Sequence, residues 1–455
     1  MLWRPPLGDV APVSATLTAD GRAELIYSGR REIRTWPSFE VLDTTEGAEP
    51  PRSAAAAGGL ADQLTRPAGG SVSAVSAGPL ARVAALWTAE RFPPWYRVLI
   101  WDQSGHVMTP DTVRIAGPPC WSNSGELAVA AFDGIRRGLV LIDREDGGVQ
   151  WWSRPASASY RLLALGRGAD DALAIRADSD GSARLVRARP GGSDEPLHML
   201  RAADHSPVQV VRWTHDGATL EGLLALPPAA GPRPLLVFLH GGPVSGLACG
   251  EHPDPSPWIS EGWAVFMPEF RSSGIAGSGD MRRAFRDRGL PGPDPEIGDV
   301  LAGVDLLTSR GVADPGALIL LGHSYGGYLA ARIITRDHRF RVAVCCEAVA
   351  DLRLLDPVSQ RMQAGWLGGD AHRVPRRWEA ASPVTYTRHV RTPLLLVYTE
   401  AGTLAAQGHA WQRALTVADV PNELILVPGA DHVLSSGPAQ RCLQQAVTGW
   451  WEHHR

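Results

Sequence analysis

Along the first 205 residues the apolar positions fall in short alternating runs broken by Gly, Asp, Ser and Pro. Arg82-Val83-Ala84-Ala85-Leu86-Trp87 is followed by Tyr96 to Asp102 and a Ser104-Gly105 turn. Cys120-Trp121-Ser122-Asn123-Ser124-Gly125-Glu126-Leu127-Ala128 leads to Gly138-Leu139-Val140-Leu141-Ile142-Asp143, closed by Asp146-Gly147-Gly148. A further pair covers Ala172 to Ile175 and Ala183 to Arg187. Runs this short, separated by turn residues, predict antiparallel β structure. The pairs recur roughly every 40 to 45 residues, the repeat of a propeller blade, with a β-sandwich as the competing arrangement. Residues 47–78 are rich in Gly, Ala and Pro and poor in large apolar side chains. A loop or disordered segment is expected there.

From about Val208 the period changes. Val208 to Leu226 alternates around an Asp216-Gly217 hairpin turn. Beyond it, continuous apolar runs alternate with stretches of helical spacing. The runs are Leu235–Leu239, Ala264–Met267, Leu318–Leu321, Val342–Cys345, Leu394–Tyr398 and Leu424–Val427. Between them, Ile297, Val300, Leu301, Val304 and Leu307 mark one helix face. Buried strands alternating with helices predict a mostly parallel sheet covered on both faces. The chain therefore divides into an all-β, propeller-like domain over residues 1–205 and an α/β domain over 206–455.

Composition narrows the partners. A net charge of −4 over 455 residues suggests neither nucleic acid nor an anionic membrane. Five cysteines, two of them adjacent, do not make a disulfide framework. Neither a secretory leader nor an apolar run long enough to span a bilayer is read, so a cytoplasmic location is expected. No metal-ligand cluster, phosphate loop or nucleotide fingerprint stands out, and no cofactor is expected. Arg282, Arg283, Arg286 and Arg288 read as a solvated helix face, Cys345 and Cys346 as packing residues on a strand, and Trp450-Trp451 as packing of a C-terminal helix. Self-association into a homo-oligomer is left open.

The chemistry concentrates in the second half. Gly322-His323-Ser324-Tyr325-Gly326-Gly327-Tyr328 directly follows a buried run and opens a helical one. That is the setting of a Gly-x-Ser-x-Gly nucleophile elbow, and with it the α/β domain reads as an α/β hydrolase. A strand-to-helix turn this sharp leaves no room for side chains at Gly322 and Gly326. Ser324 is the candidate nucleophile. His240-Gly241-Gly242-Pro243 ends an earlier strand of the same sheet. Acyl transfer needs two donors aimed at the oxyanion, and the backbone N–H groups of Tyr325 and Gly242 are the candidates. His432, in Pro428-Gly429-Ala430-Asp431-His432, follows the last strand and is the candidate base. The acid is the open position. On the loop Thr399-Glu400-Ala401-Gly402-Thr403-Leu404, Glu400 is the only carboxylate, and it is the first candidate. Asp351, after the preceding strand, is the second; Asp431 adjoins the base, where its side chain would point elsewhere. A chain without a working acid is the third reading.

Taken together these residues resemble the prolyl oligopeptidase family of serine peptidases, in particular its acylaminoacyl-peptidase and dipeptidyl-peptidase-like branches. The resemblance runs through residues 208–455 and rests on the elbow, on His240-Gly241-Gly242-Pro243 and on Phe270-Arg271-Ser272-Ser273-Gly274. It continues with Ser382-Pro383-Val384-Thr385, Thr392-Pro393 and Pro428-Gly429-x-x-His432. It implies Ser324 as nucleophile, His432 as base, Gly242 with Tyr325 as oxyanion hole, and an N-terminal propeller that screens peptides. Two departures follow. The family's propeller has about seven or eight blades, whereas 205 residues hold four or five. Counting forward from Thr392-Pro393 puts Gly402 at the family's Asp, and counting back from the helix at Gln407 to Leu415 puts Glu400 there. The leading expectation is a hydrolase cleaving amide bonds of small peptides through an acyl-enzyme on Ser324. An esterase or acyltransferase acting on small-molecule or peptide-like substrates comes second, and a non-catalytic binding protein with a degraded triad third.

Overall fold

In the computed structural model of the chain, residues 112–455 are described except 204, 206, 229–230, 243–245 and 274–293. Before them the described segments are 14–17, 22–27, 30–35, 41–45, 71–77, 82–88, 96–102 and 105–110. The chain forms two units, one from residues 208–247 with 252–455, the other from residues between 5 and 207 with the short loop 248–251.

Among the described residues the N-terminal unit contains four antiparallel meanders. The first joins Ser14–Leu17, Arg22–Tyr27, Arg30–Thr35 and Val41–Thr45, and the second Ser71–Ala77, Val83–Thr88, Arg97–Asp102 and Gly105–Met108. The third runs Cys120–Trp121, Leu127–Asp133, Arg136–Ile142 and Val149–Ser153, and the fourth Ala158–Leu165, Ala172–Asp178, Ala183–Ala188 and Glu195–Arg201. First strands are neighbours: Ser71–Ala77 lies by Cys120–Trp121, that pair by Ala158–Leu165, and the last by Ser14–Leu17. This is how the innermost strands of propeller blades adjoin. Apolar residues fill the spaces between meanders. Ala84, Val98 and Ile100 pack with Val129, Val140 and Ile142, and Trp152 packs with Leu162, Ala174 and Val186.

One expectation needs correction. Residues 71–77 fall in the stretch read as loop, yet Ser71–Ala77 is a strand paired antiparallel with Val83–Thr88. A strand is held by backbone pairing, so low side-chain hydrophobicity does not prevent it where a strongly β-forming neighbour lies alongside. The remainder of 47–78 lies outside the described residues.

The C-terminal unit is built on an eight-stranded sheet. Its elements are β1 (Gln209–His215), β2 (Ala218–Ala225), β3 (Arg233–Leu239), α1 (Ser256–Ser260), β4 (Ala264–Pro268), α2 (Asp294–Ser309), β5 (Ala313–His323) and α3 (Tyr325–Ile334). They continue with β6 (Val342–Cys346), α4 (Pro357–Leu367), α5 (Pro375–Ala381), β7 (Leu394–Thr399), α6 (Ala405–Val417), β8 (Asn422–Val427) and α7 (Gly437–His454). The strand order is β1-β2-β4-β3-β5-β6-β7-β8. β1–β2 and β2–β4 pair antiparallel, and every later pair is parallel. This is an α/β-hydrolase sheet, and it explains the two hydrophobic patterns. β1 and β2 alternate around a hairpin whose Asp216 and Gly217 both take positive φ, as a tight turn matching strand twist requires. The central strands carry unbroken apolar runs, such as Leu235–Leu239 in β3 and Ala317–Leu321 in β5, because both faces are covered there.

One face carries the larger core, where Leu235, Val237 and Leu239 meet Leu320, Cys345, Leu396 and the helices α2, α3 and α6. The other is covered by α7, which packs on β6 and β7. Trp263 stacks on Trp258 and meets Trp451 of α7 edge-on, which accounts for part of the tryptophan-rich composition. Strands β5, β6 and β7 end at one level, with His323 opposite Cys346 and Cys346 opposite Val397. Whatever follows these strands is delivered to the same edge of the sheet.

Candidate active site

Ser324 stands between β5 and α3 with φ 55° and ψ −116°, a backbone conformation that costs an L-residue of order 1–3 kcal/mol. The surroundings hold it there. Its N–H donates to the Cys346 carbonyl at 2.8 Å, and its carbonyl accepts from Tyr328 N–H at 2.9 Å. The flanking glycines are required by contact. A Cβ on Gly322 would lie 2.0 Å from the Gly326 carbonyl oxygen, and one on Gly326 would lie 2.0 Å from the Leu239 carbonyl oxygen. Helix α3 can thus approach the ends of β3 and β5 only without side chains at these positions.

His432 presents Nε2 to Ser324 Oγ at 3.1 Å, within reach for proton transfer from the hydroxyl. Its other nitrogen, Nδ1, lies 3.1 Å from Oε2 of Glu347. Glu347 is the first residue after β6 and is buried, with 1% of its side chain exposed. Its second oxygen, Oε1, accepts the backbone N–H of Thr399 at 2.5 Å, and its own N–H donates to the Val397 carbonyl at 2.9 Å. Like Ser324 it takes a positive φ, +49°. The two strained residues end adjacent parallel strands. The His432 loop is tied down separately: His323 Nε2–H donates to the His432 carbonyl at 2.7 Å. Burial lowers the pKa of His323, so the ring favours the neutral form, which still supplies that donor.

The loop after β3 has its own anchors. Gly241 packs on the nucleophile, a Cβ there falling 3.3 Å from Ser324 Cβ, and Gly242 has φ +130°, open to glycine and costly for other residues. His240 is buried and stacks on Phe270 with ring centroids 4.5 Å apart. Its Nδ1 donates to the Gly241 carbonyl at 2.6 Å, and Nε2 faces Glu269 Oε2 at 3.6 Å. Burial opposes charge on this imidazole, but the Glu269 carboxylate beside it outweighs burial and raises its pKa. The other oxygen of Glu269 accepts Leu247 N–H at 2.6 Å. One buried carboxylate therefore holds both ends of the segment 240–247. The next residues are fixed in turn: Asp299 of α2 receives the Arg271 guanidinium at 2.8 and 2.5 Å and the Arg271 N–H at 3.0 Å.

Of the residues expected from sequence, Ser324 and His432 meet, and Gly242 and Tyr325 lie on the two segments flanking the serine. Glu400 does not join them. It is exposed, and the carboxylate facing His432 Nδ1 belongs to Glu347. The strand is β6 and not β7, because β7 supplies a backbone N–H at that edge and β6 supplies the side chain. Asp351 is occupied elsewhere: its oxygens take the Arg353 guanidinium at 2.8 Å each, and these bonds lower its pKa against the effect of burial. Asp431 accepts from the Ser435 N–H and hydroxyl. Arg282, Arg283, Arg286 and Arg288 lie outside the described residues. The sequence signal for Glu347 is plain once the register is known: it is the first polar residue after an apolar parallel strand, where α/β sheets collect functional groups. Among the described residues no group of His, Cys, Asp and Glu is arranged to hold a metal ion.

Comparison with known proteins bears on this geometry. Residues 254–455 match the model of the prolyl oligopeptidase family. That match covers most of the C-terminal unit and less than half of the chain. The acylamino-acid-releasing enzyme of Sus scrofa is 24% identical over 355 residues, covering 70% of this chain and 47% of that protein. The chain spans about half the length of the curated relatives it matches. Among solved structures, a Mycobacterium tuberculosis puromycin-hydrolyzing peptidase superposes with a TM-score of 0.69 at 16% identity, covering 97% of this chain and 69% of that one. A Pyrococcus horikoshii acylaminoacyl peptidase superposes with a TM-score of 0.63 at 13% identity, covering 95% and 74%. At these identities the structural likeness speaks for the fold, and it extends over both units. The carboxylate facing His432 thus follows β6, where the sequence resemblance led us to expect one after β7.

Proposed function

We propose that the chain is a serine peptidase that cleaves amide bonds of small peptides, with Ser324 as nucleophile, His432 as general base and Glu347 as the acid. The observation that carries this reading is the continuous relay Ser324 Oγ–His432 Nε2 and His432 Nδ1–Glu347 Oε2, both contacts 3.1 Å. His432 takes the hydroxyl proton as Oγ attacks the scissile carbonyl. Glu347 fixes the tautomer with the proton on Nδ1 and stabilises the imidazolium that forms. The N–H groups of Tyr325, in the first turn of α3, and of Gly242 receive the oxyanion, aided by the positive end of the helix. The imidazolium then protonates the leaving amine, and a water activated by the same ring releases the acyl group. The strained turns at Ser324 and Glu347 are paid for by surrounding packing and keep the site ordered before substrate arrives. An acceptor other than water would make the same site an esterase or acyltransferase. The Glu347–His432 contact favours this reading over a binding protein with a degraded triad.

The relatives support the substrate class, since they include an acylamino-acid-releasing enzyme and a puromycin-hydrolyzing peptidase. No disulfide links the five cysteines, which fits a reducing cytoplasm. A fluorophosphonate probe is expected to label the wild type and not Ser324→Ala. Acylaminoacyl and aminoacyl chromogenic amides are then expected to be hydrolysed by the wild type before labelling, and neither by Ser324→Ala nor by the wild type once labelled. A folded wild type that takes no label overturns the reading.

A further inference from the structure

The N–H of Gly242 is one edge of a peptide plane whose other edge is the Gly241 carbonyl. A trans peptide is rigid, and its C=O and N–H point in opposite directions. Whatever grips the carbonyl therefore sets where the N–H points. The grip here is the His240 ring, whose Nδ1 donates to the Gly241 oxygen at 2.6 Å. The carbonyl is drawn inward to a buried imidazole, and the opposite edge belongs to Gly242, which is exposed. Gly241 also packs on Ser324, so the plane stands beside the nucleophile.

The ring is itself constrained. It lies nearly parallel to Phe270, with 12° between the planes, and both of its nitrogens face acceptors. Nδ1 meets the Gly241 carbonyl, and Nε2 faces the Glu269 carboxylate at 3.6 Å. A neutral imidazole has one N–H and cannot serve both. Only the imidazolium satisfies the pair. The neighbouring titratable groups leave this charge to Glu269. His323 and Cys346 line the same cavity, and burial keeps the first neutral and the thiol of the second protonated. Arg271 is turned to Asp299 and Asp216, and burial keeps the Tyr325 hydroxyl, on which Glu296 acts, protonated. Glu269 is anchored in turn, because its other oxygen accepts Leu247 N–H at 2.6 Å.

We infer that Glu269 is a positioning residue for the reaction: acting through His240, it holds the Gly241–Gly242 peptide so that the Gly242 N–H meets the oxyanion. The inference rests on the serine-hydrolase reading and adds to it a residue that never touches substrate. Deprotonation breaks the arrangement in a set order. The proton that remains stays on Nε2 beside the carboxylate, and Nδ1 then turns a lone pair on the Gly241 oxygen. The Glu269 carboxylate raises the pKa of the ring against the effect of burial. The arrangement therefore holds below that raised value and fails as pH rises through it. Because the oxyanion forms only in the transition state, the loss falls on kcat and leaves KM nearly unchanged.

The test compares the wild-type full chain with Glu269→Gln and His240→Phe. Glu269→Gln keeps an acceptor for Leu247 N–H and presents its own N–H to Nε2. The neutral ring then keeps its proton on Nδ1, and the grip no longer depends on pH. Wild-type kcat on a chromogenic acylaminoacyl amide is expected to fall about tenfold or more on the alkaline side at constant KM, and Glu269→Gln to lack that fall. His240→Phe keeps the stack on Phe270 without the donor, and should lower kcat by about ten- to a hundredfold at every pH. Matching pH profiles in wild type and Glu269→Gln, or a loss in His240→Phe that lies in KM alone, overturns the inference while leaving the hydrolase reading intact. NMR of the chain labelled in its histidine rings and glycine amides reads the arrangement without turnover, whether or not either variant folds. In the wild type the His240 ring is expected to titrate above 6.5, the ordinary imidazole value, with the Gly242 amide moving alongside it. That result supports the inference even if hydrolysis fails. A ring titrating at 6.5 or lower, or a Gly242 amide that does not follow it, refutes it.

Discussion

The loops after β6 and β7 end neighbouring parallel strands at one level of the sheet, yet only one delivers a carboxylate to His432. Glu347, after β6, is buried, strained at φ +49° and bonded on both oxygens. Glu400, after β7, is exposed, and its ordered contact is a backbone bond to Val427. The difference teaches that the imidazole requires a carboxylate at a point in space, and that the strand providing it is secondary. β7 retains a part in the arrangement through the Thr399 N–H, which holds the Glu347 oxygen not facing the histidine. The carboxylate beside the imidazole comes from β6 and its backbone support from β7.

The sharpest way to break this comparison is to neutralise each glutamate. Glu347→Gln is expected to lower kcat/KM by about 10³–10⁴, the scale seen when a triad carboxylate becomes an amide, while the protein stays folded and Ser324 stays in place. Glu347→Asp keeps the charge but falls one methylene short, so part of the loss should return. Hydrolysis of a chromogenic amide under single-substrate conditions measures both. A Glu347→Gln enzyme within tenfold of wild type would remove Glu347 from the relay.

Much of this molecule was legible before any coordinates. The change from alternating to continuous apolar runs near Val208 separates the two units because exposed antiparallel strands and doubly covered parallel strands bury different faces. The elbow was legible because glycines at 322 and 326 mark a contact too close for any Cβ. Glu347 was not, for a physical reason. Its neighbours Cys345 and Cys346 read as strand, and nothing in a linear sequence says that the residue after one strand meets an imidazole arriving from beyond β8. That requires the register His323–Cys346–Val397 across three strands. The Glu269–His240 contact was hidden for the same reason, since it depends on the residues just after β3 and β4 meeting at one level of the sheet. Ser71–Ala77 escaped because pairing, and not its small side chains, makes it a strand.

A second comparison sets Glu347 against Glu296, another buried glutamate, in the first turn of α2. Glu347 has a backbone donor and an imidazole. Around Glu296 burial dominates, only partly offset by its own backbone N–H and the Arg271 charge, and its pKa is pushed up to about 7. The folded protein therefore binds a proton that the unfolded chain, with a carboxyl near 4.5, releases. Stability from this group is fully present below pH about 4.5 and is lost as pH rises through about 7. Glu296→Gln should match wild type near pH 5 and exceed it by roughly 3 kcal/mol at pH 8. Urea unfolding of the hydrolase unit at the two pH values reads the difference. The same gap at both would mean that Glu296 is ionised throughout. Because Glu296 also acts on the Tyr325 hydroxyl, raising its pKa in addition to the effect of burial, the variant reports on the serine's neighbour without touching the relay.

The smallest effects belong to the vacated loop, and they explain why it is vacated. A Cβ at Gly402, the position where the family's count would place an aspartate, would sit 2.0 Å from Thr399 Oγ1. Thr399 is buried, and its N–H is the donor to Glu347. A side chain at 402 must therefore displace the Thr399 hydroxyl, on the residue whose backbone N–H bonds Glu347. Gly402→Ala should cost about 1–2 kcal/mol of stability, since a hydroxyl and not backbone must give way, and should lower kcat/KM only a few-fold through the shifted Thr399 donor. Glu400→Gln, two residues earlier and facing solvent, should change neither by a measurable amount. Loss of activity in Glu400→Gln comparable to that in Glu347→Gln would return the acid to β7 and show that both loops act on one imidazole.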